Sequence, residues 1–341
     1  SFRDYANTFD SNSLTVSPNG SEKINGLAID LIVSTEGESL TLVYADATKG
    51  WLIVNDGNND AGSQVEYVAA TGGTITTVCT NFKVHTFTGP GTFTVTNAGN
   101  AAGSNTVDYM VVAGGGGGGS DGGGGAGGGY RESSGANSGG YTRSPLGACV
   151  SALSVPATAY PITVGGGGPG APTSGNGTNG SNSIFSTITS AGGGRGGDKS
   201  RDAGGSGGAG SGNTPPVSPP QGNNGGAQPA TSAADGAGGG GAGAVGSNGG
   251  SPGTDGGGPG AVGTPSDISS STVVRAGGGG GGTDSVNTPG GGGTGGSGGG
   301  GPGGKRCVAG GAGSANLGGG GGSGGTGAAG GQGGSGVVII R

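Results

Sequence analysis

The side chains able to do chemistry are few in this chain and stand far apart. His85 is the only histidine. A lone imidazole without a cysteine or carboxylate cluster makes neither a metal site nor a nucleophile–base pair. On an alternating strand it shares a face with Lys83 and Phe87, so a structural or surface place is expected. Cys79, Cys149 and Cys307 lack C-x-x-C spacing, which argues against zinc. An odd count fits three reduced thiols; a Cys149–Cys307 bridge is the alternative within the glycine-rich part. Gly299 to Lys305 spells G-x-x-x-x-G-K, but Arg306 stands where a phosphate loop needs Ser or Thr, and no strand precedes it. Asp121, Asp255 and Asp284 are isolated rather than spaced as in a calcium β-roll. Asn19-Gly-Ser21, Asn176-Gly-Thr178 and Asn179-Gly-Ser181 read as turns. No Ser/His/Asp set or carboxylate pair assembles. A non-enzyme is expected, with no catalytic residue, no cofactor and no metal.

Recognition chemistry is better represented. Tyr130-Arg131-Glu132 and Tyr141-Thr142-Arg143 combine aromatic rings with guanidinium groups, the residue types favoured at binding surfaces and suited to sugar stacking. Arg195 with Asp198-Lys199-Ser200-Arg201-Asp202 is the densest charge cluster of the glycine-rich part, and Lys305-Arg306 could meet an anionic glycan. These are the candidate binding loops: Tyr130, Arg131, Tyr141, Arg143, Arg195, Lys199, Arg201, Lys305 and Arg306. The solvated turn is the competing reading of each. Asn213-Thr-Pro-Pro-Val-Ser-Pro-Pro-Gln221 reads as a stiff extended loop.

Composition limits what can position them. Gly supplies 100 of 341 residues, against an ordinary usage of about 7%. Charged residues are 9%, aromatics 4%, and the formal net charge is −6. A large aliphatic core, a collagen repeat and a transmembrane run of about 18 apolar residues are excluded. A general basic field is absent, so nucleic acid is not an expected partner. Ser1 opens a polar stretch without the regions of a signal peptide; a fragment or processed chain is the simplest expectation.

Residues 1–73 carry ordinary glycine density and read as short strands separated by turns: Leu14–Val16, Leu27–Val33, Ser39–Tyr44 and Trp51–Val54. This is the pattern of a small all-β unit. Its thin apolar content favours burial against partner copies. Residues 74–78 and 82–87 lead to Gly89-Pro90-Gly91, read as a hairpin turn with 92–95 returning.

Residues 74–341 then repeat one pattern, in which a β-branched run enters a glycine tract. Val107–Val112, Tyr160–Val164, Ile184–Ile188 and Thr272–Val274 are such runs, and the chain closes on Gly336-Val-Val-Ile-Ile-Arg341. The first run is expected to pair with the last. The tracts span roughly 113–129, 164–180, 191–197, 203–212, 225–263, 276–282, 290–304 and 309–336. An α-helix is excluded at about 1 kcal/mol per glycine, and disorder is the default. One ordered option remains: extended helices with three residues per turn, which satisfy one another laterally because no side chain keeps them apart. Ala and Ser (Ala126, Ser120) are expected at the surface of such a lattice, and Pro169, Pro259 and Pro302 fit its dihedral angles without an amide. The fold class is therefore mainly β with an irregular glycine-rich part: a small N-terminal β-module, then a short β-sheet carrying a layered polyglycine-II helix sandwich, with almost no α-helix.

These runs carry a resemblance. Leu14–Gly26 followed by Ser39–Trp51 looks like a small β-module of bacteriophage tail-fibre and virion proteins. Val107-Asp-Tyr-Met-Val-Val-Ala-Gly-Gly-Gly with the terminal Gly-Val-Val-Ile-Ile-Arg341 resembles the glycine-rich domains of phage tail fibres, and is similar in plan to the tip adhesins of T-even-like phages. The resemblance implies an extracellular virion protein that binds a host cell-surface glycan or outer-membrane protein through loops between its helices. It also implies contacts with other virion or tail proteins and a homotrimer joined through residues 1–68. A purely structural virion fibre or capsid-decorating protein is the alternative.

Overall fold

In a computed structural model of the chain, the described residues are 1–56, 63–101, 103–136, 138–147, 149–197, 215–227, 235–250, 256–284 and 291–341. The expected tract 203–212 and the charged run 198–202 lie outside them. The first strands are β1 (Phe2–Arg3), β2 (Leu14–Val16), β3 (Leu31–Val33), β4 (Ser39–Asp46), β5 (Gly50–Asp56), β6 (Ser63–Gln64) and β7 (Val68–Thr71). Then come β8 (Thr74–Val78), β9 (Phe82–Phe87), β10 (Gly91–Ala98), β11 (Thr106–Val107), β12 (Tyr109–Val112) and β13 (Tyr130–Glu132). The last are β14 (Leu153–Ser154), β15 (Ala159–Thr163), β16 (Ser183–Phe185), β17 (Ile188–Ser190), β18 (Thr264–Ser266), β19 (Val273–Arg275) and β20 (Val337–Ile340). The one helical turn among the described residues is the 3-10 turn Pro145–Gly147.

Two compact units form. The smaller comprises Ser1–Ala70, Val95–Thr106 and Ser154–Thr158; the larger comprises Thr71–Thr94, Val107–Leu153 and Ala159–Arg341. In the smaller unit the sheets β1-β4-β5 and β2-β3-β6 enclose Ile24, Leu31, Val33 and Leu40, with Leu42, Trp51 and Ile53 packed against them. The strand expected over 27–33 is shorter. Leu27 is spent in a two-way bond with Ile24 around the Asn25-Gly26 turn, so pairing begins only at Leu31.

The larger unit contains the sheet β13-β12-β20-β9-β8 and the strand order β17-β16-β15-β10. The first apolar run does meet the last: Tyr109 pairs with Ile340 and Val112 with Val337. Both strands are buried throughout, which is why neither alternates in polarity. One face packs Met110, Val112, Val337 and Ile339 against Tyr130, Ile268 and Ala276. On the other, Tyr109 and His85 meet the rings of Phe185 and Phe93 at 6.4 and 5.1 Å. His85 is thus a core residue, its Nδ1 2.8 Å from the Gly72 carbonyl. The expected hairpin across Gly89-Pro90-Gly91 does not form. Both edges of β9 are taken, by β8 and β20, and β10 pairs with β15 in the other sheet.

The glycine tracts form a lattice. Along 114–119 the amides donate in rotation to three neighbours: Ser181 and Thr178, Gly334 and Gly331, Ala126 and Gly123, at 2.9–3.1 Å. The carbonyls accept from three others: Gly193 and Gly196, Gly168 and Ala171, Gly321 and Gly324, at 2.8–2.9 Å. Each neighbour recurs every third residue, the period of an extended helix without internal hydrogen bonds. Residues 277–282 show the same sixfold surround, with 298–301, 258–261 and 122–125 accepting and 320–323, 293–296 and 236–239 donating. A Cβ added at any of Gly114 to Gly119 would stand within 3.0 Å of a neighbouring carbonyl, so the packing requires the missing side chains.

Strand register passes unbroken into the lattice. The β12–β13 pairing of Val112 with Tyr130 continues through Ala113–Gly129, Gly116–Ala126 and Gly119–Gly123. The β16–β17 pairing of Ser183 with Ser190 continues through Gly180–Gly193 and Gly177–Gly196, and β18–β19 through Ala261–Gly278 and Gly258–Gly281. The interrupting residues divide by type. Pro169, Pro259 and Pro302 face outward, as expected. Ala126 and Ser120 do not: both are buried. Ala126 keeps its lattice bond to Gly194, and Ser120 Oγ donates to the Thr173 carbonyl at 2.9 Å.

Candidate recognition surface

Within the larger unit, the chain leaves β13 into a loop, 133–147, that lies at the end of β12 away from the lattice. Two buried carboxylates fasten it. Asp108 is the one acid within the apolar run 107–112. It accepts from Ser133 Oγ at 2.7 Å, the Gly135 amide at 3.0 Å and Ser138 Oγ at 2.6 Å. Glu132 accepts from the Tyr130 hydroxyl at 3.1 Å, the Ser144 amide at 2.8 Å and Ser266 Oγ. The Ser266 bond ties the loop to the β18–β19 hairpin, and the Asp267 amide adds a bond to the Thr142 carbonyl at 2.9 Å. Burial raises the Glu132 carboxyl above its ordinary range, opposed by the hydrogen bonds it accepts. The Arg341 guanidinium lies over the rings of Phe82 and Tyr141, 5.2 and 5.4 Å from their centroids, a cation–π arrangement.

The structure separates the expected site residues. Tyr130 is 1% exposed and belongs to β13, not to a loop. Its hydroxyl serves Glu132, so its expected contact role is corrected to a core role. Burial drives its phenol well above the usual range. Tyr141 is half-buried, and burial likewise raises its phenol. Arg131 is half-buried on β13, while Thr142 and Arg143 are exposed on the loop. Arg195, Lys305 and Arg306 are exposed too; Arg195 stands midway along the lattice, where its neighbour Gly196 donates to Gly117, while Lys305 and Arg306 belong to the far end. There Ser120 pairs with Gly324, Cys307 bonds to Thr326, and Thr326 Oγ1 donates to Asp121 at 2.8 Å. Ser120 is twelve residues beyond Asp108 along one extended path, about 35 Å at about 3 Å per residue. Arg143 and Lys305 therefore occupy opposite ends. Lys199 and Arg201 lie outside the described residues.

Sequence reasoning missed Asp108, Glu132, Ser266 and Arg341. The available signal was a lone carboxylate inside an apolar run, which must find donors if the run is buried. Among the described residues no group of three His, Cys, Asp or Glu side chains could hold a metal, and no helix is long and apolar enough to cross a membrane. Cys79, Cys149 and Cys307 are free and exposed. A family model described as a glycine-rich domain matches residues 86–341. No curated protein matches the chain.

Proposed function

Because the chain belongs to the glycine-rich domain family over residues 86–341, we propose that it is a non-enzymatic virion fibre or adhesin protein, displayed outside the cell. In this reading it binds the host surface through loops at the ends of its glycine lattice. The observation that carries the reading is the sixfold hydrogen bonding of the inner tracts. A body whose amides and carbonyls satisfy one another is a stiff scaffold. Recognition then falls to the side chains at its margins: Thr142 and Arg143 on the carboxylate-pinned loop, Lys305 and Arg306 at the other end, and Arg195 on the exposed side of the lattice between them. A glycan or outer-membrane protein of the host is the partner, and copies join through the N-terminal residues into a trimer that multiplies weak contacts.

The test is binding of the fluorescently labelled full chain to a panel of bacterial cells. Arg143→Glu and the pair Lys305→Glu with Arg306→Glu serve as variants. Loss of binding by one variant, with its melting temperature unchanged, identifies the end that makes contact. A folded chain that binds none of the cells leaves the second reading, a structural virion fibre or capsid decoration, which the same self-contained lattice favours.

A further inference from the structure

Six Asn-Gly pairs occur in the chain: Asn19-Gly20, Asn25-Gly26, Asn176-Gly177, Asn179-Gly180, Asn224-Gly225 and Asn248-Gly249. Such a pair carries its own chemistry. The amide nitrogen of the glycine attacks the Cγ of the asparagine before it, closing a succinimide ring and releasing ammonia. Water then opens the ring at either carbonyl. The product is aspartate or, with the main chain rerouted through the side chain, isoaspartate. Glycine suits the step because no Cβ shields its nitrogen and its backbone turns freely. The nitrogen must be clear of other bonds, and the chain must be able to swing the side-chain carbonyl over it. The fold therefore decides which pair reacts.

Every pair but one is held. The Gly177 and Gly180 amides donate to Gly196 and Gly193 at 3.0 and 2.9 Å, within the lattice ladder, and the Asn179 side-chain carbonyl accepts from the Arg195 amide at 2.9 Å. Gly249 donates to Ala227 at 3.2 Å, and the Asn248 side chain accepts from the Ala227 amide at 2.7 Å. Gly26 donates to Lys49 at 2.7 Å, while the Asn25 side chain accepts from the Ile53 amide at 3.3 Å. Around Asn224-Gly225 the chain is bonded on both sides: the Asn224 carbonyl accepts from Gly246 and the Gly226 amide donates to Gly238, each at 2.9 Å. Asn19-Gly20 differs. Both residues are exposed, in the connection between β2 and β3. One local bond, from the Glu22 amide to the Asn19 carbonyl at 3.0 Å, closes the turn. Gly20 has φ +61° and nothing within 4 Å of where a Cβ would stand. Among the described residues no hydrogen bond ties the Gly20 amide or the Asn19 side chain.

We propose that Asn19 is a self-modifying site, which converts spontaneously to aspartate and isoaspartate ahead of every other Asn-Gly pair of the folded chain. The change has a reader close by. Glu22, whose amide closes the turn on Asn19, accepts from the Trp51 indole Nε1 at 3.0 Å. Trp51 is the only tryptophan and packs on the core of the smaller unit. Isoaspartate lengthens the main chain inside that turn, and either product places a new carboxylate in the same turn as Glu22, where like charges repel. Both effects move the Glu22 carboxylate away from the indole. The proposal is independent of host binding and of assembly.

The experiment is incubation of the full chain in mildly alkaline buffer, folded and in guanidinium chloride. Tandem mass spectrometry reads conversion at each pair, and enzymatic methylation reads isoaspartate. In the folded chain Asn19 should convert at least about tenfold faster than Asn25, Asn176, Asn179, Asn224 or Asn248, because each of those must first open bonds worth about that factor. In guanidinium chloride all the pairs should convert at similar rates, since only sequence then distinguishes them. A folded chain in which any other pair keeps pace with Asn19 overturns the proposal. So does an Asn19 that stays unconverted in the folded chain while it converts in the unfolded one, since the turn then protects it. Trp51 emission should shift as the wild type converts and stay constant in Asn19→Gln over the same period. Equal drift in both chains refutes the link through Glu22.

Discussion

Replacing Gly118 and Gly166 by alanine, one at a time, separates lattice packing from mere glycine content. At Gly118 an added Cβ would stand within 3.0 Å of the Gly322 carbonyl. That oxygen accepts from Gly331, whose own carbonyl accepts from Gly118. The clash therefore strains three tracts together. Overpacking a close-packed interior costs about 1–3 kcal/mol, and one or two strained hydrogen bonds add about 0.5–1.5 kcal/mol each. Gly118→Ala should thus destabilise by about 2–5 kcal/mol, a melting temperature lower by on the order of 5–15 °C for a unit of this size. At Gly166 nothing lies within 4 Å of the added carbon and the backbone is not left-handed. Alanine there only restricts the unfolded chain and should stabilise by about 0.4–1 kcal/mol. Differential scanning fluorimetry reads the melting temperatures, and hydrogen exchange at Gly331 and Ala171 reports the local damage. Two variants melting within about 2 °C of each other would refute the lattice as the source of stability.

Ser323→Ala removes a hydroxyl that accepts from the Gly122 amide at 3.0 Å and donates to the Gly119 carbonyl at 2.9 Å. The stranded amide should cost about 1–3 kcal/mol in urea unfolding. His85 is held neutral, its pKa lowered first by burial. The unfolded chain therefore takes up a proton that the fold does not, and the contribution is lost as pH falls below about 6.5. Stability of the wild type should decline from pH 7 to pH 5 more steeply than that of His85→Gln, and parallel profiles would remove the imidazole as the cause. Glu132 has the opposite sign. Its raised carboxyl pKa makes its contribution largest in acid and lost as pH rises through the folded value, so the stability of wild type relative to Glu132→Gln should be greater at pH 4 than at pH 7. With all three cysteines free and exposed, a thiol reagent should titrate three equivalents without denaturant; fewer would indicate a bridge.

The sequence made the apolar runs and their punctuation easy to read, because β-branched residues ending at a glycine tract leave few alternatives. The pairing of the first run with the last was readable because those two runs open and close the glycine-rich part, and Tyr109–Val112 does meet Val337–Ile340. Connections were harder. Gly89-Pro90-Gly91 has the residues of a hairpin turn, but a turn sequence cannot say that both edges of β9 are already occupied. Tyr130-Arg131-Glu132 reads as a loop because three residues are too few to show a period, and its partner on β12 lies about twenty positions away. Local composition also could not place Ala126 and Ser120, because burial in this lattice depends on which of three directions a residue faces and not on its polarity. The candidate binding residues were legible as types, while their division between two ends was not. That division depends on how many extended residues separate Asp108 from Ser120.

The unbroken register between strand pairs and glycine tracts also restricts how such a gene can drift. A slip of one codon within a glycine run rotates every later residue of that tract by a third of a turn and offers each amide to the wrong neighbour. Only whole multiples of three codons, matched in the returning tract, preserve the pairing that starts at Val112 and Tyr130. The tips carry a looser condition, since the turns Ser120–Gly122 and Lys305–Val308 reverse the chain between tracts and are held only by local bonds such as Asp121 to Gly324 and Cys307 to Thr326. Length variation among descendants of this chain should therefore come in threes along the tracts and in any size at the turns, so that the ends diversify while the body between them stays in frame with itself.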